Sequence, residues 1–265
     1  MFSLGLLQML VEPGRYRETS ARALQWIRQA ADAGAEIMLL PEALPFGWTD
    51  SSARKHAEPI PSGDWCRALS DAARRNHVWV CSGAIERDGN RIFNSAVLID
   101  ADGRVVLRHR KINELDIAHE LYAQGDSLSV VDTRFGRIGV MICADAFAQG
   151  QVISRALGMM GAQVILSPCA WAVPADHDPH REPYGKLWLD NYGPVARDSA
   201  LWIAGVSNVG PITDGPWKGR KCIGCSMVID PEGKCVVQLD YGETAERMWK
   251  CSITPRERAR ACSGG

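Results

Sequence analysis

The first forty residues constrain the fold more than any other stretch. Leu4–Leu10 is a continuous apolar run of strand length. Tyr16–Ala33 follows, with Ala23, Leu24, Ile27 and Ala31 at helical spacing and Gly34 as a stop signal. Glu36–Leu40 is a second buried strand. A strand, a helix and a strand in that order need a crossover connection, which favours parallel pairing and an α/β fold.

The rest of the chain continues in the same manner. A second helix is predicted over Asp64–Asn76, then strands over Val78–Ala84 and Ile92–Leu98. Asp100-Ala101-Asp102-Gly103 reads as a hairpin turn, with Arg104–Leu107 returning from it. His109–Gly125 reads as a polar loop. Leu128–Asp132 and Gly139–Ile142 form a Gly-punctuated strand pair, followed by helix-compatible residues from Gln151 to Met160. Val164–Leu166 is a short strand, Ser167–Pro183 a loop, and Tyr184–Ser199 a helix despite Pro194. Leu201–Ser207, Cys225–Ile229 and Lys234–Gln238 complete the strands. The Val97–Val106 hairpin resembles Met227–Val236, with an Asp-x-x-Gly turn in each. Two like hairpins, one per half, point to a pseudo-symmetric body of two sheets, although any such turn between apolar strands looks alike. One domain over 1–255 and a flexible charged tail over 256–265 are expected.

Bulk properties remove several classes. A net charge of −1 gives no reason to expect nucleic acid or an anionic membrane surface as partner. No apolar run approaches the length of a membrane span. Phe2–Val11 lacks a basic leader and a small-residue cleavage site, and reads as a strand, not a signal peptide. Nine cysteines at irregular intervals do not make a disulfide framework, so a reducing, cytoplasmic setting is expected.

Three chemically capable residues stand at strand ends or in the loops between strands. Glu42 follows a buried strand and lies between Pro41 and Pro45. Lys111 lies in the polar loop His109–Gly125. Cys143 ends the apolar Gly139–Ile142 strand and precedes the turn Ala144-Asp145. A nucleophile at a strand-to-helix turn sits on a rigid stalk at the carboxyl end of a sheet. A thiol needs a proton acceptor and a nearby cation to act at neutral pH. A partly desolvated carboxylate has a raised pKa and can shuttle protons, and a fixed ammonium can stabilise developing negative charge. The plainer alternatives are a buried core cysteine, a turn-capping glutamate and a solvated lysine. Arg108, His109 and Arg110 read as that solvated face.

The order and setting of these residues resemble the nitrilase superfamily, the carbon–nitrogen hydrolases. The resemblance rests on Leu39-Leu40-Pro41-Glu42, on Arg110-Lys111-Ile112 and on Gly136-Arg137-Ile138-Gly139-Val140-Met141-Ile142-Cys143-Ala144-Asp145. Ser167–Trp171, Ser207–Gly210 and Gly224–Gly233 add weaker support. It implies a four-layer α-β-β-α sandwich carrying a Glu-Lys-Cys triad. Glu42 would match the general base, Lys111 the lysine and Cys143 the nucleophile. Glu120 would match a second glutamate that orients the lysine or substrate, and the N–H of Ala144 would join Lys111 in an oxyanion hole. The resemblance implies no metal and no organic cofactor, a homodimer, and a small-molecule amide, with water, as substrates. A nitrile, an N-carbamoyl compound or a non-catalytic binding role are the alternatives. Relatives acting on carboxylate-bearing substrates place an arginine shortly after the nucleophile; Ala144–Ala148 has none.

Other residues complete the candidate list. Trp48, Phe147 and Trp171, with Phe46 and Trp188, would give an aromatic wall around a small organic amide, or else pack the core. His119 would orient Glu120 or sit at the loop surface. Cys222-Ile223-Gly224-Cys225 is a lone C-x-x-C running into a strand, without the helix start or second ligand pair that redox or zinc use needs. His177 and His180 flank a proline in a loop, which argues against helical metal pairing.

Overall fold

The computed structural model describes residues 1–256 of the chain; most of the expected tail, from residue 257 onward, lies outside them. In chain order the strands are β1 (Phe2–Gln8), β2 (Ile37–Leu39), β3 (Trp79–Asp88), β4 (Arg91–Ile99), β5 (Val105–Arg110), β6 (Val130–Thr133), β7 (Gly136–Val140) and β8 (Val164–Cys169). They continue as β9 (Ala172–Val173), β10 (Trp202–Ser207), β11 (Val209–Pro211), β12 (Lys221–Ile223), β13 (Met227–Ile229), β14 (Cys235–Gln238) and β15 (Arg247–Ile253). The helices are α1 (Tyr16–Asp32), α2 (Ala53–His56), α3 (Asp64–Asn76), α4 (Val152–Met159) and α5 (Lys186–Ser199).

Two six-stranded sheets result, ordered β15-β1-β2-β3-β4-β5 and β14-β13-β10-β8-β7-β6; β9, β11 and β12 form a small third sheet. The opening crossover is as predicted: β1 pairs with β2 in parallel, and β2 with β3. In α1, Ala23, Ile27 and Ala30 are buried, and Gly34 at φ +82° supplies the left-handed turn that ends the helix.

The period-two alternation of the strands builds the layers. Leu4, Leu6, Leu39 and Leu98 from the first sheet pack against Ile138, Val140, Leu166 and Val206 from the second. The outer face of the first sheet, with Leu7, Met38, Val80 and Val97, is covered by Ile27 of α1 and Leu69 of α3. The outer face of the second, with Met141, Ile165 and Ile203, is covered by Leu157 of α4 and Trp188, Tyr192 and Val195 of α5. The order is therefore α-β-β-α.

The two hairpins occupy corresponding places near the edges of the two sheets, and their turns are bonded alike. Gly103 N donates to Asp100 O and Gly233 N to Asp230 O, at 2.9 Å each. Asp100 Oδ1 accepts from the N–H of Asp102 and Arg104, as Asp230 Oδ1 does from Glu232 and Lys234. Both ladders carry a register shift at the same step.

Several expectations change: β9 lies within the expected loop Ser167–Pro183, and β11, β12 and α2 have no predicted counterpart. β15 has no counterpart among the predicted strands; it pairs with β1 along its whole length as an edge strand. Its sequence breaks the alternation, since Arg247, Trp249 and Lys250 are exposed. His109 is not part of a solvated face. It lies in β5, buried, with its ring nitrogen Nε2 2.8 Å from Asp145 Oδ2.

Candidate active site

The carboxyl ends of β2, β5 and β7 converge at one end of the sandwich. Just past β2, Ala43 takes φ +58° and turns the chain at Glu42. Glu42 N donates to Cys169 O, at the end of the other sheet's β8, at 3.1 Å, and Gly83 N donates to Pro41 O at 3.0 Å. Lys111 follows β5 directly, and its N donates to Asn94 O at 2.8 Å. Cys143 opens the turn after β7 at φ +44°, a left-handed conformation that costs a non-glycine residue roughly 1–2 kcal/mol and throws the side chain outward.

Glu42, Lys111, Cys143, Ala144, Trp48, Phe147 and Trp171 all line one cavity of about 110 Å³. Lys111 Nζ lies 2.7 Å from Glu42 Oε1 and 3.5 Å from Glu114 Oε2, all three side chains being buried. Asn94 Nδ2 donates to the same Glu42 oxygen at 2.6 Å, leaving Oε2 without a partner. Nζ also stands 5.6 Å from the centre of the Trp48 ring.

The electrostatics follow from this packing. Burial disfavours the charge on Lys111, but Glu114 and Glu42 outweigh it and hold its pKa well above the usual value. Burial pushes the Glu114 carboxyl up to about 7, against the pull of Lys111 and with help from Glu42 and Asp145. Burial, the neighbouring Cys169 thiol and the Glu42 charge push the Cys143 thiol well above its usual value, with Lys111 opposing. The resting sulfur is thus held as a neutral thiol.

Asp145 ties the two loops together. Its Oδ1 accepts from the N–H of Ile112 and Asn113 at 3.0 and 2.8 Å, and its Oδ2 from Ile142 N at 2.9 Å. Burial pushes its carboxyl up, but His109 and these donors outweigh it and hold it below the usual range. Asn113 Nδ2 adds a bond to Ala144 O at 2.7 Å.

Glu120 and His119 lie away from this cluster. Both are exposed, and the backbone carbonyl of Glu120 accepts from Arg54 Nη2 at 2.8 Å. The chain turns outward after the 3₁₀ turn Asp116–Ala118, which carries them away from the cavity. Glu114 stands beside the lysine instead. Its signal is a carboxylate three residues after Lys111 in an otherwise uncharged stretch. Asn94 was legible too, as an amide on the inward-pointing series Asn94, Ala96, Leu98.

Of the remaining candidates, Trp188 lines the cavity and the others do not. Cys222 and Cys225 are buried free thiols; burial pushes Cys222 up to about 12 and raises Cys225, which argues against a reactive pair. Among the described residues no cluster of His, Cys, Asp and Glu could hold a metal, so His177 and His180 have no partners for one. Phe46 packs in a neighbouring cluster, whereas Trp188 does line the cavity.

A four-layer sandwich of this order matches solved structures of the nitrilase superfamily. A cysteine-to-serine variant of the Nesterenkonia AN1 amidase superposes with a TM-score of 0.80 at 18% identity, over 96% of this chain and 92% of that one. Nit3 of Saccharomyces cerevisiae gives 0.77 at 21% identity, over 94% and 89%. In sequence, omega-amidase NIT2-B of Xenopus laevis is 32% identical over 260 residues, 92% of this chain and 86% of its own. A nitrilase of Pyrococcus abyssi is 28% identical over 96% and 90%. Against omega-amidase NIT2 of Xenopus tropicalis the match spans 64% of each chain. The carbon–nitrogen hydrolase family model matches residues 4–251. The chain belongs to the carbon–nitrogen hydrolase family and is a hydrolase of carbon–nitrogen bonds other than peptide bonds.

Proposed function

We propose that this protein hydrolyses a small linear amide through a thioester on Cys143. The observation that carries the proposal is the shared cavity of Glu42, Lys111 and Cys143, with the ammonium 2.7 Å from the carboxylate. Glu42 takes the thiol proton, and Oε2, the oxygen without a partner, is the one available to do so. The sulfur attacks the carbonyl carbon. Lys111 and the N–H of Ala144 hold the oxyanion, and Glu42 returns the proton to the departing ammonia. Glu42 then activates the water that cleaves the thioester, regenerating the thiol and releasing the carboxylic acid.

Glu114 takes the part expected of Glu120. At 3.5 Å from Nζ it helps to hold Lys111 charged and oriented. Trp48, Phe147 and Trp171 form the substrate walls. A nitrile or N-carbamoyl compound would use the same groups; a non-catalytic binding role would leave a buried, strained constellation without work. A homodimer and a reducing, cytoplasmic setting belong to the same proposal, and the free state of the eight described cysteines favours the latter. Ammonia release across small amides, nitriles and carbamoyl compounds tests it, with Cys143→Ala as control. Intact-mass detection of an acyl adduct on Cys143 is expected; full turnover by Cys143→Ala would refute it.

A further inference from the structure

We infer that the substrate presents an uncharged, compact group to the cavity, of aryl, heteroaryl or branched alkyl type, and that amides bearing a carboxylate are rejected. This rests on the amide-hydrolase proposal and adds the substrate class. Besides Glu42 and Lys111, the described lining holds no charged side chain. Lys111 is the single cation in it and already faces two carboxylates, at 2.7 and 3.5 Å. A substrate carboxylate would add a further negative charge beside an ammonium already paired with Glu42 and, in part, with Glu114, desolvated and without its own counter-charge, which is strongly unfavourable.

The walls are aromatic on both sides of the reacting groups. Trp171 and Trp188 stack at 4.4 Å with an interplanar angle of 20°, and Phe147 lies 5.5 Å from Trp188. Across the cavity Trp48 meets Trp217 edge-on at 4.9 Å. Leu187, 50% exposed, completes the lining with an apolar side chain left in water. The volume of about 110 Å³ is somewhat below the roughly 150 Å³ of a dry apolar cavity that holds benzene. A small branched chain fills it, and a ring would reach out past the half-exposed Leu187. The buried indole N–H groups of Trp48 and Trp171 have no partner in the protein. Both are neutral donors, suited to a ring nitrogen or an ether oxygen and a poor substitute for a cation. Arg220, which stacks 4.2 Å from the centre of the Trp217 ring, is not part of the lining.

The test compares ammonia release from butyramide and succinamate, which differ by a methyl against a carboxylate, and from phenylacetamide and acetamide. Butyramide is expected to exceed succinamate at least about 100-fold in kcat/KM, and phenylacetamide to exceed acetamide at least about 10-fold. Leu187→Arg, which adds a cation to the wall, is expected to narrow the first ratio at least about 10-fold. Succinamate turned over within about 10-fold of butyramide overturns the inference, as does a first ratio unmoved by Leu187→Arg. A succinamate preference abolished by Arg220→Gln also overturns it and assigns the anion clamp to Arg220. Calorimetric binding of the same amides to Cys143→Ala separates the two levels. Selective binding of the neutral amides without any wild-type turnover keeps the pocket assignment and sinks the hydrolase proposal. Equal binding sinks the pocket assignment.

Discussion

Glu42 and Lys111, from the carboxyl ends of two strands separated by β3 and β4, meet at 2.7 Å with both side chains buried. A buried pair of this kind adds little net stability, but removing one partner strands the other. Lys111→Met would leave Glu42 and Glu114 buried with no ammonium between them. The expected loss is about 3–5 kcal/mol by urea unfolding, alongside a fall in turnover of at least about 10²–10³. A Glu42→Met/Lys111→Met double variant should regain much of that stability and none of the activity. An unchanged unfolding midpoint in Lys111→Met would show that the pair is not buried in solution.

Glu114 gives the fold a pH signature of unusual sign. Its carboxyl rises from 4.5 in the unfolded chain to about 7 in the fold. Between those values the native state binds more protons than the unfolded state, so stability falls as pH rises through this window and levels off above it. The shift corresponds to a loss of about 3 kcal/mol from this group. Unfolding measured at pH 5 and pH 7.5 should therefore show a drop that Glu114→Gln reduces. The same variant should flatten the limb of the kcat/KM profile near pH 7. An identical pH dependence in wild type and variant would remove Glu114 as its source.

Asp145 joins the nucleophile turn to the lysine loop by accepting from Ile142, Ile112 and Asn113 and pairing with His109. Asp145→Asn keeps the volume but turns an acceptor into a donor facing backbone N–H groups. Such a mismatch in a buried site costs about 1–3 kcal/mol per unsatisfied group. Since small misplacements of reacting groups can cost about 10²-fold, kcat should fall by roughly that factor with a smaller change in KM. The wild-type carboxyl sits below its ordinary 3.8. Its stabilisation is complete above that value and is lost as pH falls through the lower native value, so the acid side of the stability curve should weaken in wild type and flatten in the variant. A variant with wild-type kcat would show that the brace between the two loops does not set the geometry of the reacting groups.

The architecture was legible because apolar alternation and a crossover opening leave few alternatives, and because Glu42 and Cys143 each follow a strand that the sequence marks plainly, with Lys111 in the polar loop between them. What sequence periodicity could not supply was depth. Glu114 and Glu120 are both carboxylates in the loop after the lysine, and only the outward turn at Asp116–Ala118 decides between them. His109 alternates with charged Arg108 and Arg110, so its burial is visible only once Asp145 arrives from the other sheet. β15 is hard to read because an edge strand needs one apolar face at most, and Trp249 and Lys250 obscure even that.

Gly83 tests whether the Glu42 turn tolerates displacement. A Cβ there would lie 2.6 Å from the Glu42 Cα, the Ala43 N and the Pro41 O, all main-chain atoms that cannot rotate away. The glycine in β3 is therefore a spacer that lets the base-bearing turn rest on the sheet. Gly83→Ala should push that turn outward by several tenths of an ångström, and overpacking of this kind costs about 1–3 kcal/mol. Because the displaced group is the proposed proton acceptor, kcat/KM should fall at least about 10-fold, by the same sensitivity to misplacement. Gly89→Ala, at a turn where a Cβ meets nothing within 4 Å, controls for the loss of a glycine as such. Its φ of +57° carries its own modest strain, so its stability falls while its kcat/KM holds. Equal losses of activity in the two variants would mean that contact with the Glu42 turn is not what matters at Gly83.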